Sequence, residues 1–160
     1  MRKYLSLLVL FTMLISCSKE LSQETVLGSW TLKEIASSGF MSDSIQRIES
    51  YQDLGDGCGI LSIKDKTEQY EITFETQACS IITLREDYSG EITSGKPDEL
   101  EAVSVTYTLE EGDNIITICA DASSCVDYIC ENDKLYLTLQ IATVDMKNED
   151  YQRTFCYERE

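Results

Sequence analysis

Val103-Ser104-Val105-Thr106-Tyr107-Thr108-Leu109 sets an apolar or aromatic residue at every odd position and a small hydroxyl residue at every even one. Successive side chains of an extended strand point to opposite faces, so this is a strand with one dry face and one wet face. Working outward, Tyr70, Ile72 and Phe74 alternate in the same way with Glu71, Thr73 and Glu75, across the polar turn Lys64-Asp65-Lys66-Thr67 from a strand at residues 60–63. Further strands are expected at residues 26–35, 80–86, 115–119, 125–130 and 135–141, separated by Asp, Asn and Ser-rich turns. At the end of the chain Tyr151, Arg153, Phe155, Tyr157 and Arg159 share one parity. Two stretches break the pattern. Residues 93–101, holding the single proline Pro97, are expected to form a loop, and Ser42 or Asp43 can cap a short helix carrying Ile45, Ile48 and Tyr51 or Gln52 and ended by Gly55. That places one short helix after the first strand, polar on most of its circumference and lying across something as a lid.

Eight to ten strands of this kind make an antiparallel all-β domain. A sheet with one wet face must bury the other, either by closing on itself or by pairing with a second sheet. Barrel and sandwich are the two solutions.

Composition narrows the function. The chain has 160 residues, one domain's worth, with 13 Lys and Arg against 29 Asp and Glu and no His. A formal charge of −16 excludes binding to a phosphate backbone, which needs clustered cations. The lack of His removes imidazole metal ligands and His-based triads. Carboxylates are abundant but sit in turns, as at Glu110-Glu111, Asp121 and Glu131 to Asp133, where Asp and Asn favour turn geometry anyway. Asp53-Leu54-Gly55-Asp56-Gly57 offers oxygen donors without the spacing of a calcium loop. There is no GxSxG elbow, phosphate-cradling glycine loop or CxxC pair. The chain is therefore read as no enzyme, with no metal or cofactor.

Residues 1–16 read MRKYLSLLVLFTMLIS, a basic start and an apolar run followed by Cys17. This is the order of a secretory signal, and the run is shorter than the ~18 apolar residues of a membrane-spanning helix. Leu14-Ile15-Ser16-Cys17 resembles a bacterial lipobox, which implies removal of residues 1–16 and lipidation of Cys17. Residues 17–25 become a lipidated tether and residues 26–160 the folded domain. So acidic a chain is repelled by anionic lipid, so its membrane contact comes from the acyl chains alone. Ser18-Lys19-Glu20 resembles the signal that sends some Bacteroidetes lipoproteins to the outer face of the outer membrane; periplasmic and surface display both stay open.

Six cysteines remain: Cys58, Cys79, Cys119, Cys125, Cys130 and Cys156. An even number in an exported chain points to disulfides.

Gly28-Ser29-Trp30 resembles the GxW motif on the first strand of lipocalins. The resemblance implies an up-and-down barrel in which Trp30 closes one end beneath a basic residue of the last strand, Arg153 or Arg159. A guanidinium can lie flat on an indole while its charge reaches solvent. Residues 61–70 also resemble the second hairpin of small lipocalin-like lipoproteins of Bacteroidetes. Nine strand candidates must become an even number, either by making 70–86 one long bent strand, giving eight, or by adding a strand at 88–93, giving ten. In the eight-strand version Cys58 meets Cys79 at the open rim, Cys119 and Cys125 bridge their turn at the same rim, and Cys130 with Cys156 is left at the closed rim.

A barrel of this size either fills its interior with side chains or holds one small ligand. The inward parity set begins with Trp30, Leu32 and Ile63, and its candidate ligand-binding members are Tyr70, Ile72, Phe74, Val105, Tyr107, Leu137, Leu139, Phe155 and Tyr157. The expected function is a lipid-anchored envelope protein, a monomer, that holds a small hydrophobic or amphipathic molecule. The alternative is a sandwich or filled barrel that docks or inhibits another envelope protein.

Overall fold

The computed structural model describes residues 21–38, 40–42, 45–110, 112, 114–141 and 151–160. The signal at residues 1–16, Cys17 and the first part of the tether lie outside the described residues. A four-residue helix, α1 (Gln23–Val26), is followed by eleven strands: β1 (Gly28–Ser38), β2 (Phe40–Ser42), β3 (Ile45–Gly55), β4 (Cys58–Lys66), β5 (Glu71–Leu84), β6 (Ser89–Lys96), β7 (Glu99–Glu110), β8 (Ile115–Asp121), β9 (Ser124–Glu131), β10 (Lys134–Ile141) and β11 (Tyr151–Arg159).

All pairings are antiparallel. β1 pairs with β11, the order then runs β10 back to β5, and β5 pairs with β1 over Gly28–Thr31 and Ile81–Leu84. Eight strands thereby close a barrel, which removes the exposed edges of an open sheet. β2, β3 and β4 extend the sheet from the other half of β5, where β4 pairs with Glu71 to Cys79.

β1 and β5 part above Thr31, and β3 fills the resulting fork. Lys33 Nζ meets Asp53 Oδ2 at 3.0 Å, and the Glu49 N–H donates to Ser37 Oγ at 2.8 Å. The β3–β4 turn wedges into the foot of the fork, with the Ser80 N–H donating to the Gly57 carbonyl at 2.9 Å. Gly57 has φ +70°, and a Cβ there would stand 2.7 Å from Ile81 Cγ1. Both the conformation and the close approach require glycine. At the β9–β10 turn Asn132 and Asp133 both have positive φ, the geometry of a two-residue hairpin that matches strand twist.

The end of the barrel at the start of β1 is sealed. Trp30 is 0% exposed and its Nε1 donates to the Val26 carbonyl at 2.9 Å, drawing α1 across the opening. Val26 is equally buried, and Gln23 Nε2 donates to the Glu86 carbonyl at 2.6 Å, fixing the helix to the β5–β6 turn. Above this plug the core consists of Leu32, Ile35, Ile82, Leu84, Ile116, Leu135, Tyr107 and Tyr157.

Several expectations are corrected. The stretch expected as a helix near 43–54 is strand β3 from Ile45, and among the described residues no helical lid covers the barrel. The short helix found among the described residues, α1, precedes the first strand. Residues 93–101 are not a loop: β6 runs to Lys96 and β7 starts at Glu99, leaving Pro97-Asp98 as a tight turn. Both changes occur together, since β5 is one 14-residue strand and β6 occupies the place of the added one; the ring still has an even count, eight, because β4 lies outside it.

The disulfides Cys58–Cys79 and Cys119–Cys125 form, each between directly opposed residues of neighbouring strands. Because β3 brings the chain back down before β4 begins, Cys58–Cys79 lies at the fork and not at the open rim. Cys130 and Cys156 are not joined. Cys130 opposes Leu135 and Cys156 opposes Tyr136, adjacent residues of β10 whose side chains take opposite faces. With a whole strand between them and the sheet separating their side chains, they are beyond the reach of a disulfide.

Candidate functional site

Trp30 and Arg159 are cross-strand partners, and the Arg159 guanidinium carbon lies 4.8 Å from the indole centroid. Arg159 also donates to the Thr25 carbonyl, so one side chain stacks on the plug and caps α1. Arg153, the other candidate, stands opposite Ser37 at the far end of β1. Its guanidinium forms a two-pronged pair with Glu49 on β3, with Nε donating to Oε2 at 2.6 Å. Glu49 is 5% exposed, and the pair raises the Arg153 pKa. One turn of the pleat further out, Arg47 binds Asp65 through two hydrogen bonds of 2.6 Å, which hold the Asp65 carboxyl below its ordinary value. Burial pushes the Tyr151 hydroxyl up; it has no partner in hydrogen-bond geometry. The open half of the barrel therefore carries buried polar groups on its β1–β3–β11 side.

The opposite side is apolar. A cavity of about 300 Å³ lies between β6, β7, β8 and β9, lined by Ile92, Val103, Val105, Ile118, Ala120, Val126 and Tyr128, with Ser124 and Cys125 at its rim. The strand registers put Ile92, Val103, Ile118 and Val126 on the inward face with buried Val105 and Tyr128. The volume is at the lower end of small-molecule sites, and such a lining offers shape and apolar contact more than reactive groups. Its floor is firm. Tyr128 meets Tyr157 edge-to-face with centroids 6.2 Å apart, and the Tyr157 hydroxyl is 3.0 Å from Ser80 Oγ. Burial raises the pKa of both tyrosines, and pushes that of nearby Tyr51 up to about 12. These hydroxyls are neutral across the physiological range.

Of the nine expected ligand-binding residues, only Val105 lines this cavity. Tyr107, Leu137 and Tyr157 are buried in the core beneath it, and Phe155 packs partly buried against that core. Filling side chains share the parity of lining ones, so alternation alone could not separate them. Tyr70, Ile72, Phe74 and Leu139 keep the inward parity but are exposed, Phe74 at 57%. The reason is height. β5 pairs with β6 only from Cys79 onward, so the sheet around Phe74 projects beyond the β6–β7 hairpin and, among the described residues, faces no opposite wall. The lining residues missed in the sequence include Ile92, Val103, Ile118, Ala120, Val126 and Tyr128, and two of them had a usable signal: Val126 and Tyr128 alternate with Cys125 and Asp127.

Among the described residues, no group of three or more His, Cys, Asp or Glu side chains is arranged to hold a metal ion. No protein family, curated protein or solved structure matches the chain.

Proposed function

We propose that this chain is a non-catalytic, lipid-anchored binding protein of the bacterial outer membrane, facing the periplasm or the cell surface, that holds a small hydrophobic or amphipathic molecule. The observation that carries the reading is the apolar cavity in the open half of a barrel whose other end is plugged by Trp30, Arg159 and α1. A closed floor under an open apolar space retains a guest, whereas a barrel filled throughout has no room for one. The lipobox-like Leu14-Ile15-Ser16-Cys17 supports acylation at Cys17, with the signal at 1–16 removed. The contact of Trp30 with Arg159 supports kinship with lipocalin-like lipoproteins, since it is what the GxW resemblance implies.

Exposed Tyr70, Ile72 and Phe74 on the projecting sheet favour a second reading, a module that docks another envelope protein. Native mass spectrometry of the full chain purified from its own cells separates the two. The first reading expects a co-purifying small molecule of defined mass together with a diacyl or triacyl increment on Cys17. A chain that carries no small molecule and retains a protein partner instead would replace it with the second.

A further inference from the structure

We infer that the guest reaches the cavity sideways, through a split between β9 and β10, and that it is a neutral apolar molecule. This rests on the reading of the cavity as a binding site. The β9–β10 ladder consists of three pairs, Glu131 with Lys134, Cys130 with Leu135 and Ile129 with Tyr136. Continued in register it would join Tyr128 to Leu137, Asp127 to Thr138 and Val126 to Leu139, and none of these pairs forms. It is the shortest seam of the eight-strand ring. The next shortest, β1 with β5, is covered where it ends by the β3–β4 turn at Gly57. Among the described residues, nothing bridges the β9–β10 split.

Each lip is anchored to its other neighbour. β9 is tied to β8 by the Cys119–Cys125 disulfide and by Thr117 Oγ1 donating to Asp127 Oδ1 at 2.7 Å. β10 pairs with β11 along its whole length, and Thr138 meets Thr154 at 3.1 Å. The split is therefore a built feature, not a frayed end. Its lips are apolar: Val126 and Leu139 share the inward parity and are 37% and 36% exposed. Val126 and Tyr128 are at once the edge of the split and the wall of the cavity, so whatever passes the lips has arrived.

The other route, over the end of the barrel, is flanked on its β1–β3–β11 side by the Arg153–Glu49 and Arg47–Asp65 pairs. An apolar molecule crossing there strips water from charged groups and offers them nothing in return. The charge of −16 works against an anionic guest at either door. A neutral apolar guest and a side door fit both facts.

The test follows uptake of the neutral dye N-phenylnaphthylamine by the full chain in stopped-flow fluorescence. Asp127→Cys with Thr138→Cys places two thiols on the outer face where the ladder would continue, and their oxidation staples the split. Thr93→Cys with Ala102→Cys staples an already paired seam as the control. The stapled split is expected to slow association about tenfold or more, while the control stays within about twofold, a change in rate of the kind that restricted access produces. Should the first staple fail to form or to fold, two single variants decide: Leu139→Lys slows uptake and Thr76→Lys, on the projecting sheet, does not. Unchanged uptake through a stapled split, or slowing by Thr76→Lys alone, overturns the side door and leaves the binding reading standing. A wild-type chain that takes up no dye overturns the binding reading itself.

Discussion

Trp30 is the only tryptophan of the chain and is fully buried, so its fluorescence reports on the plug without interference. Arg159 covers the indole, yet its Nε is buried with no hydrogen-bond partner, so the stacking and the single bond to Thr25 are what it contributes. Replacing Arg159 with Ala removes a cation–π contact and a charge-assisted hydrogen bond, together worth about 1–3 kcal/mol. The expected result is a lower denaturation midpoint and a red shift of the emission as water reaches the ring. An unshifted emission would mean that the indole is sealed by α1 alone. This contact was legible because the Gly28-Ser29-Trp30 motif named one partner and the final strand offered two arginines. The choice between them was not. It depends on register: Arg159 is opposite Trp30, while Arg153, six residues earlier on the same parity, is opposite Ser37.

Strand β3 is the element that sequence reading mistook, and its chemistry explains why. Its inward positions include Arg47 and Glu49, and its outward ones include Ile48, which is largely exposed. Charged residues inside and an apolar one outside erase the alternation that marks a half-buried strand, leaving Ile45, Ile48 and Tyr51 to mimic a helical stripe. Inward charge is tolerated because each group has a partner on another strand, Asp65 on β4 and Arg153 on β11. A partner distant in sequence leaves no local trace. The same pair ties β3 to the barrel, so Arg153→Met should strand the buried Glu49 carboxylate and cost about 3–5 kcal/mol. Adding Glu49→Gln to that variant should return most of the loss. Urea titration of the single and double variants checks this, and a double variant no more stable than Arg153→Met would show that the carboxylate was never the burden. Stretches with neutral inward positions, such as residues 103–109 of β7 and strand β10, were legible for the converse reason.

Closure of the whole barrel gathers Tyr51, Tyr128, Tyr151 and Tyr157 into its interior, and burial raises the pKa of each. In the unfolded chain a tyrosine ionises near pH ~10. The folded form holds these protons to higher pH, so the stability they contribute is complete below about pH 10 and is lost as pH climbs from there through the raised values. The urea midpoint should therefore be level on the approach to pH ~10 and fall steeply above it. A midpoint still level at pH ~11 would mean that these hydroxyls are open to water.

The all-β class was readable from alternation; the closed antiparallel barrel, and with it two of the three disulfide pairs, came from what the lipocalin resemblance of Gly28-Ser29-Trp30 implies. The cavity was not, because depth within a barrel depends on where each hairpin ends. β6 and β7 turn at Pro97-Asp98 while β5 continues upward to Glu71, and that difference in height decides which inward residues line a space, fill it or stand clear of it. The most direct measurement is methyl NMR of the full chain titrated with N-phenylnaphthylamine. The account predicts shifts for Val103, Val105, Ile118 and Val126, with Leu84, Ile116 and Leu135 near the plug unmoved. Shifts confined to Ile72 and the projecting sheet, or no shifts at all, would contradict it.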